Sequence, residues 1–182
     1  MPDQHDVTVG QLLLAEYQTL KDEQKTRIGF RDNLLYVTLT VVAAVIAATA
    51  QAERPEMLLA LPPVCVVLGW TYLVNDEKIS AIGRHIRHDL GPKLAQLARA
   101  ERAFTWEAAH RSDSRRCQRK VIQCGIDLLA FCVVPLAGLT VYWAAGGNGA
   151  GLLVLSLVEA LTVIGLASQV VVYARPFGPT AP

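Results

Sequence analysis

The sequence predicts an all-α membrane protein with four transmembrane helices, both termini cytoplasmic, and the first two spans extended into a cytoplasmic helical stalk. Three observations lead there. Four apolar stretches, residues 33–52, 57–75, 121–145 and 151–174, each run about 19 to 25 residues, against the roughly 20 needed to cross about 30 Å of hydrocarbon. Hydrophobic residues make up 52% of the 182, which leaves no room for a separate soluble enzyme domain. The formal net charge of +1 hides a segregation: fifteen of the seventeen Lys and Arg residues fall within 1–32 and 76–120. The positive-inside rule puts both basic segments in the cytoplasm and the connections 53–56 and 146–150 outside. The expected location is the inner (cytoplasmic) membrane, with the lipid bilayer as the first partner.

Residues 1–32 read as a cytoplasmic amphipathic helix. Leu13, Tyr17, Leu20 and Ile28 recur at helical spacing on a polar surface, and Glu23 stands four before Arg27. The helix is expected to start near Thr8. No proline separates it from the first span, so one long helix should enter the membrane. No basic run followed by an apolar run and a cleavage site precedes it, so no removable signal peptide is expected and span 1 serves as the insertion signal.

Residues 33–75 form the first transmembrane hairpin. In span 1, Thr40, Ala44 and Ala48, with Ala43 and Ala47 beside them, make small-xxx-small rows that permit close helix approach, which places span 1 at the centre of the bundle. Pro62 and Pro63 in span 2, like Pro135 in span 3, are expected to kink their helices.

In the cytoplasmic loop 76–120 the apolar period continues through Ile79, Ile82, Ile86 and Leu90 until Gly91-Pro92, an expected helix stop with a new helix from Pro92. Counted from the membrane edge, Ile28 is level with Ile79 and Tyr17 with Leu90, so the two stripes can seal a stalk about 20 Å long. Leu94, Leu97 and Ala98 suggest a short helix, with Phe104 and Trp106 as anchors beyond it. Arg115, Arg116, Arg119 and Lys120 crowd the cytoplasmic mouth of span 3, as a topology anchor and then as a lipid-headgroup site. Residues 121–174 form the second hairpin. The tail 175–182, with three prolines and a glycine among its last seven residues, is expected to be disordered.

Chemistry is sparse. Asp127 and Glu159 are the two acids inside the apolar stretches, and an ionisable group there is a functional candidate because its burial is costly without a partner. Run in opposite directions, spans 3 and 4 place them about 9 Å apart in height, so they do not form a dyad. Ser156, Thr162 and Gln169 share a broad face with Glu159, and Gln123 lies one turn below Asp127. The structural alternative is that Arg31, Lys120 or a hydroxyl satisfies Asp127, and that Glu159 is satisfied by a serine or threonine or by simply remaining protonated. His85, His88 and Asp89 form HxxHD at helical spacing, but no third ligand is fixed, and a solvated helix face is the favoured reading. The four cysteines include no CxxC pair and read as apolar filler rather than as a disulfide framework or zinc site. No phosphate loop or nucleophile setting is present, so neither an enzyme nor a cofactor nor a metal nor a nucleic-acid partner is expected.

The segments LLLAEYQTLKDEQKTRIGFRDNLLY, YLVNDEKISAIGRHIRHDLGP and FTWE together resemble a group of small bacterial integral membrane proteins common in actinobacteria, over about residues 11 to 107. The resemblance implies a four-span chain in which a polar helix leads into span 1, and it implies no activity. The expected function is a non-enzymatic membrane module that self-associates as a homo-oligomer, effector-like or pore-like, controlled through its cytoplasmic helices by a protein partner. A small proton-coupled transporter using Glu159 and a passive membrane scaffold are the alternatives.

Overall fold

The structure of the chain, a computed structural model, describes residues 7–100 and 116–174. Phe104, Trp106, Arg115 and the tail 175–182 lie outside the described residues. Among the described residues the fold is all-helical, and four helical rods are long and apolar enough to cross a membrane: Val9–Ala52, Pro55–Leu97, Gln118–Ala144 and Ala150–Ala174.

Helix α1 (Val9–Ala52) runs unbroken for 44 residues because no proline interrupts its hydrogen-bond ladder. Thr8 opens it with a reciprocal cap: the Gln11 amide donates to Thr8 Oγ1 at 3.3 Å and the Thr8 amide donates to Gln11 Oε1 at 2.9 Å. Glu53, in the left-handed region at φ 52°, turns the chain back after Ala52. The least exposed positions of α1 recur at Leu13, Tyr17, Leu20, Gln24, Arg27, Arg31, Leu34 and Thr38, alternating steps of four and three. That is a heptad seam. Polar residues occupy its middle, so the apolar period alone points to Ile28 where the inward position belongs to Arg27; Ile28 is 39% exposed.

The small-residue row of α1 does not sit at the centre of the bundle. Thr40, Ala43, Ala44 and Ala47 are exposed and Ala48 is half-buried. Only 17% of the most apolar window of this rod is buried, against 39% for each of the next two rods and 22% for the last.

The second rod begins as a 3-10 turn (Pro55–Ala60), continues as α2 (Leu61–His85), widens into a π turn (Ile86–Leu90) and ends as α3 (Gly91–Leu97). Pro62 and Pro63 fall in the first turn of α2, where a helix has no internal partners for its amides, so they need cause no kink. Gly91-Pro92 does not stop the helix. Gly91 is right-handed, at φ −59° and ψ −50°, and its amide donates to the carbonyl of Ile86, five residues back. The third rod repeats the device: α4 (Arg116–Leu128), a π turn (Leu129–Val133), then α5 (Val134–Ala144), with the Val134 amide reaching Leu129 just before Pro135. A proline cannot donate to the carbonyl four residues back and its ring collides with it; the wider turn ahead of each proline absorbs that mismatch and lets the rod continue. Gly146 and Gly149, at φ 93° and 103°, make the turn into α6 (Ala150–Ala174).

The described residues form two compact units, one drawn from 7–30 and 75–100, the other from 31–74 and 116–174. In the first, helices pair through side-chain hydrogen bonds. Asn75 Nδ2 donates to the Arg27 carbonyl at 2.7 Å, Arg27 Nη1 donates to Asn75 Oδ1 at 3.4 Å, and Gln24 Nε2 donates to the Ile79 carbonyl at 3.3 Å. Gln24 rather than Ile28 is therefore level with Ile79, about one helical turn from the register that matching membrane edges suggests. Ile86 and Leu90 are fully buried, while Leu13, Tyr17, Leu20, Ile79 and Ile82 are half-buried.

In the second unit, Leu34, Tyr72, Leu73, Phe131, Val163, Leu166 and Val170 make one apolar core to which all four rods contribute. The π turn is why Ala130, Phe131 and Cys132, three consecutive residues, are all buried. Gly69 is a point of close approach: a Cβ there would lie 2.7 Å from Leu166 and 3.0 Å from Phe131. Gly138 serves similarly against Leu61, at 2.9 Å.

Candidate functional site

Polar groups inside the apolar rods identify the candidate site, because hydrocarbon offers them no hydrogen bonds. Most are satisfied locally. Thr38, Thr40, Thr49, Thr71 and Thr140 each donate to the carbonyl four residues back, and Thr162 and Ser168 to the carbonyl three back, at 2.7–2.9 Å. This back-bonding makes a hydroxyl cheap to carry in a membrane helix.

Asp127 is buried and belongs to a network. Gln123 Nε2 donates to Asp127 Oδ1 at 2.9 Å and to the phenolic oxygen of Tyr72 at 2.8 Å, tying α4 to α2. The Tyr72 ring in turn packs on Phe131 with centroids 5.2 Å apart. Gln123 one turn below the acid was visible in the sequence; Tyr72, fifty-one residues away, was not.

Glu159 differs. Its side chain is 7% exposed and that of Ser156, one turn before it on α6, is 6% exposed. Glu159 Oε2 and Ser156 Oγ are fully enclosed, and neither has a hydrogen-bond partner among the described residues. Thr162, predicted to share this face, turns its hydroxyl to the Glu159 backbone carbonyl at 2.8 Å and not to the carboxyl. Gln169 is half-buried further along α6. Ser156 itself, with Ala160, lines an open groove of about 550 Å³ between α5 and α6, whose other walls are Leu136, Leu139, Thr140, Trp143, Leu153 and Leu157. It is an apolar surface suited to lipid chains.

The remaining candidates are dispersed. Arg116 opens α4, Arg119 is exposed and Lys120 half-buried. His85 Nε2 lies 3.0 Å from Glu16 Oε1, bridging to α1, while Asp89 pairs with Lys93 at 2.8 Å. His88 is exposed, and among the described residues no three His, Cys, Asp or Glu side chains converge on a metal position. Cys65 and Cys132 are buried within the apolar rods and Cys124 is half-buried.

Asn75 is the functional-looking residue that sequence reasoning passed over. The sequence places it at the edge of span 2, whereas in the structure it is 5% exposed and holds both the backbone and the side chain of Arg27. An asparagine closing an apolar run is the signal that marks it. Comparison with protein-family models, with curated proteins and with solved structures gives no match.

Proposed function

We propose that this chain is a four-span protein of a bacterial cytoplasmic membrane, N-in and C-in, that acts as a non-enzymatic, self-associating module controlled through its cytoplasmic helices. The observation that carries the reading is the uncovered face of α1. In one copy of the chain Thr40, Ala43, Ala44 and Ala47 are exposed, although a row of small residues is the surface on which helix backbones approach most closely in lipid. A second copy provides the complementary surface, and any pore would require such an oligomer because one four-helix chain encloses little lumen. The segregation of Lys and Arg supports the orientation, and the cross-helix hydrogen bonds of residues 7–30 and 75–100 support a helical stalk able to receive a cytoplasmic partner. The sequence resemblance over residues 11 to 107 agrees with this architecture.

Subunit counting in lipid nanodiscs tests the reading. A stable oligomer that dissociates in Ala44→Leu is expected, and a monomer across a wide range of protein-to-lipid ratios overturns it. Orientation is tested separately with single cysteines at Lys93 and Gly147 in a background cleared of native thiols: labelling from opposite faces is expected, and labelling from one face refutes the topology. A second reading, a small proton-coupled transporter, draws on Glu159, whose Oε2 is enclosed; proton-gradient-dependent flux in liposomes separates it from the first. Absence of any flux together with a monomeric state leaves the passive scaffold.

A further inference from the structure

We infer that Ser156 and Glu159 form a proton-binding site within α6, in which the Glu159 carboxyl carries the proton and the Ser156 hydroxyl is its hydrogen-bond partner. The inference deepens the transporter reading and needs only that α6 spans the membrane; it does not depend on self-association.

Three observations converge on it. First, among the serines and threonines of the four apolar stretches, Ser156 is the exception to back-bonding: the others are held by a carbonyl of their own helix, and its oxygen is enclosed without a partner. Second, Glu159, three residues on and so on the same face, has an enclosed oxygen that is equally unpartnered. The two orphans lie on one helix face without bonding each other, and a proton added to the carboxyl removes its charge and leaves a neutral acid and a hydroxyl that can bond each other. Third, the donor set is wrong for a metal cation. Three side-chain oxygens, two from Glu159 and one from Ser156, fall well short of the roughly six that hard cations gather, and the nearby Glu159 carbonyl already accepts from Thr162. An ionised carboxylate with an orphan oxygen shut off from water is strongly disfavoured, whereas the neutral acid needs only the partner that Ser156 supplies.

The elements packed against α6 are α4, the second π turn and α5, and the core adds α1 and α2. Their titratable groups in or adjoining the apolar stretches include Cys124 and Asp127 on α4, with Arg119 and Lys120 near its start, Cys132 in the π turn, Tyr142 on α5, Cys65, Tyr72 and Asp76 on α2, and Arg31, Asp32 and Tyr36 on α1. Asp127 is already held by Gln123. Its carboxyl is therefore the internal control.

The test is infrared spectroscopy of the full-length protein in proteoliposomes, where a carboxylic acid and a carboxylate absorb separately. Carbonyl-labelled glutamate and aspartate identify the band without mutation, so a variant that fails to fold does not decide the outcome. The expected result at neutral pH is an acid carbonyl band that shifts with labelled glutamate, is absent in Glu159→Gln, survives Asp127→Asn, shifts on exchange into heavy water, and moves to higher frequency in Ser156→Ala as its hydrogen bond is lost. No glutamate-derived acid band, or one displaced by sodium or potassium, overturns the proton site. A band unmoved in Ser156→Ala overturns the role of Ser156. Because the band is read without any flux measurement, absence of transport would sink the transporter reading and leave the proton site standing.

Discussion

The two compact units of this chain hold their helices together by different means. In residues 7–30 and 75–100 the helices are joined by hydrogen bonds across the seam, from Asn75 to the Arg27 carbonyl and from Gln24 to the Ile79 carbonyl, with buried Ile86 and Leu90 on the same rod. In residues 31–74 and 116–174 they are joined by shape: Gly69 fits against Leu166 and Phe131, and Gly138 against Leu61. The difference follows the solvent each is suited to. In water, burying leucine and isoleucine is itself favourable and polar contacts set the register. In lipid, apolar side chains gain little from leaving the solvent, so close approach and van der Waals contact must supply the association.

The comparison is broken most severely by a charge in the first unit. Ile86→Asp places a carboxylate at a site with 0% exposure and should destabilise that unit by about 4 kcal/mol, read as local loss of amide-exchange protection with membrane insertion retained. Ile28→Asp, at an exposed position on the same helix pair, should be close to neutral. If the two behaved alike, the heptad seam drawn along α1 would be wrong.

Overpacking the second unit comes next. Gly69→Leu forces a side chain into space already taken by Leu166 and Phe131 and should cost about 3 kcal/mol, measured as a lowered thermal midpoint in detergent or nanodiscs. A variant as stable as the parent would mean that α2 does not approach α6 at this point.

Asn75→Ala removes two hydrogen bonds to Arg27 and leaves its carbonyl without that partner; a loss of about 1 to 2 kcal/mol is expected. Paired with Arg27→Ala in a double-mutant cycle, it should show coupling, and strict additivity would remove Asn75 as the lock between α1 and α2.

The smallest stability effect is expected where the proposed function is most sensitive. Ala44→Leu on the exposed face of α1 should change monomer stability by no more than about 0.5 kcal/mol, yet shift subunit stoichiometry. A large loss of monomer stability would show instead that this face packs within a single chain.

Much of the fold was legible in the residues because it depends on solvent partition alone. The length of the four apolar stretches and the absence of proline through α1 predict the rods, and their ends come within a few residues of the expected limits except in the second rod, which runs past the expected stop at Gly91-Pro92 to Leu97. Thr8 and Gln11 likewise announce the start of α1 through chemistry confined to one turn. Asp127 and Glu159 stood out in the sequence because charge is scarce in apolar runs.

What tertiary structure alone decided is everything that depends on which residues meet. Periodicity reads an apolar stripe, so a seam with Gln24, Arg27 and Arg31 in its middle was displaced onto Ile28. Gly91-Pro92 and Val134-Pro135 look like stops or kinks in one dimension, and only the backbone shows a π turn ahead of each that lets the rod pass. Small residues mark a close approach without saying to what: those of α1 face outward, whereas Gly69 and Gly138 sit where helices touch. The same holds for the two acids. Composition separates neither from the other, but the fold brings Gln123 to Asp127 and leaves the carboxyl oxygen of Glu159 enclosed beside an equally unpartnered Ser156. Solvent preference is a property of each residue and can be read along a line; hydrogen-bond satisfaction and contact are properties of pairs, and pairs exist only once the chain has folded.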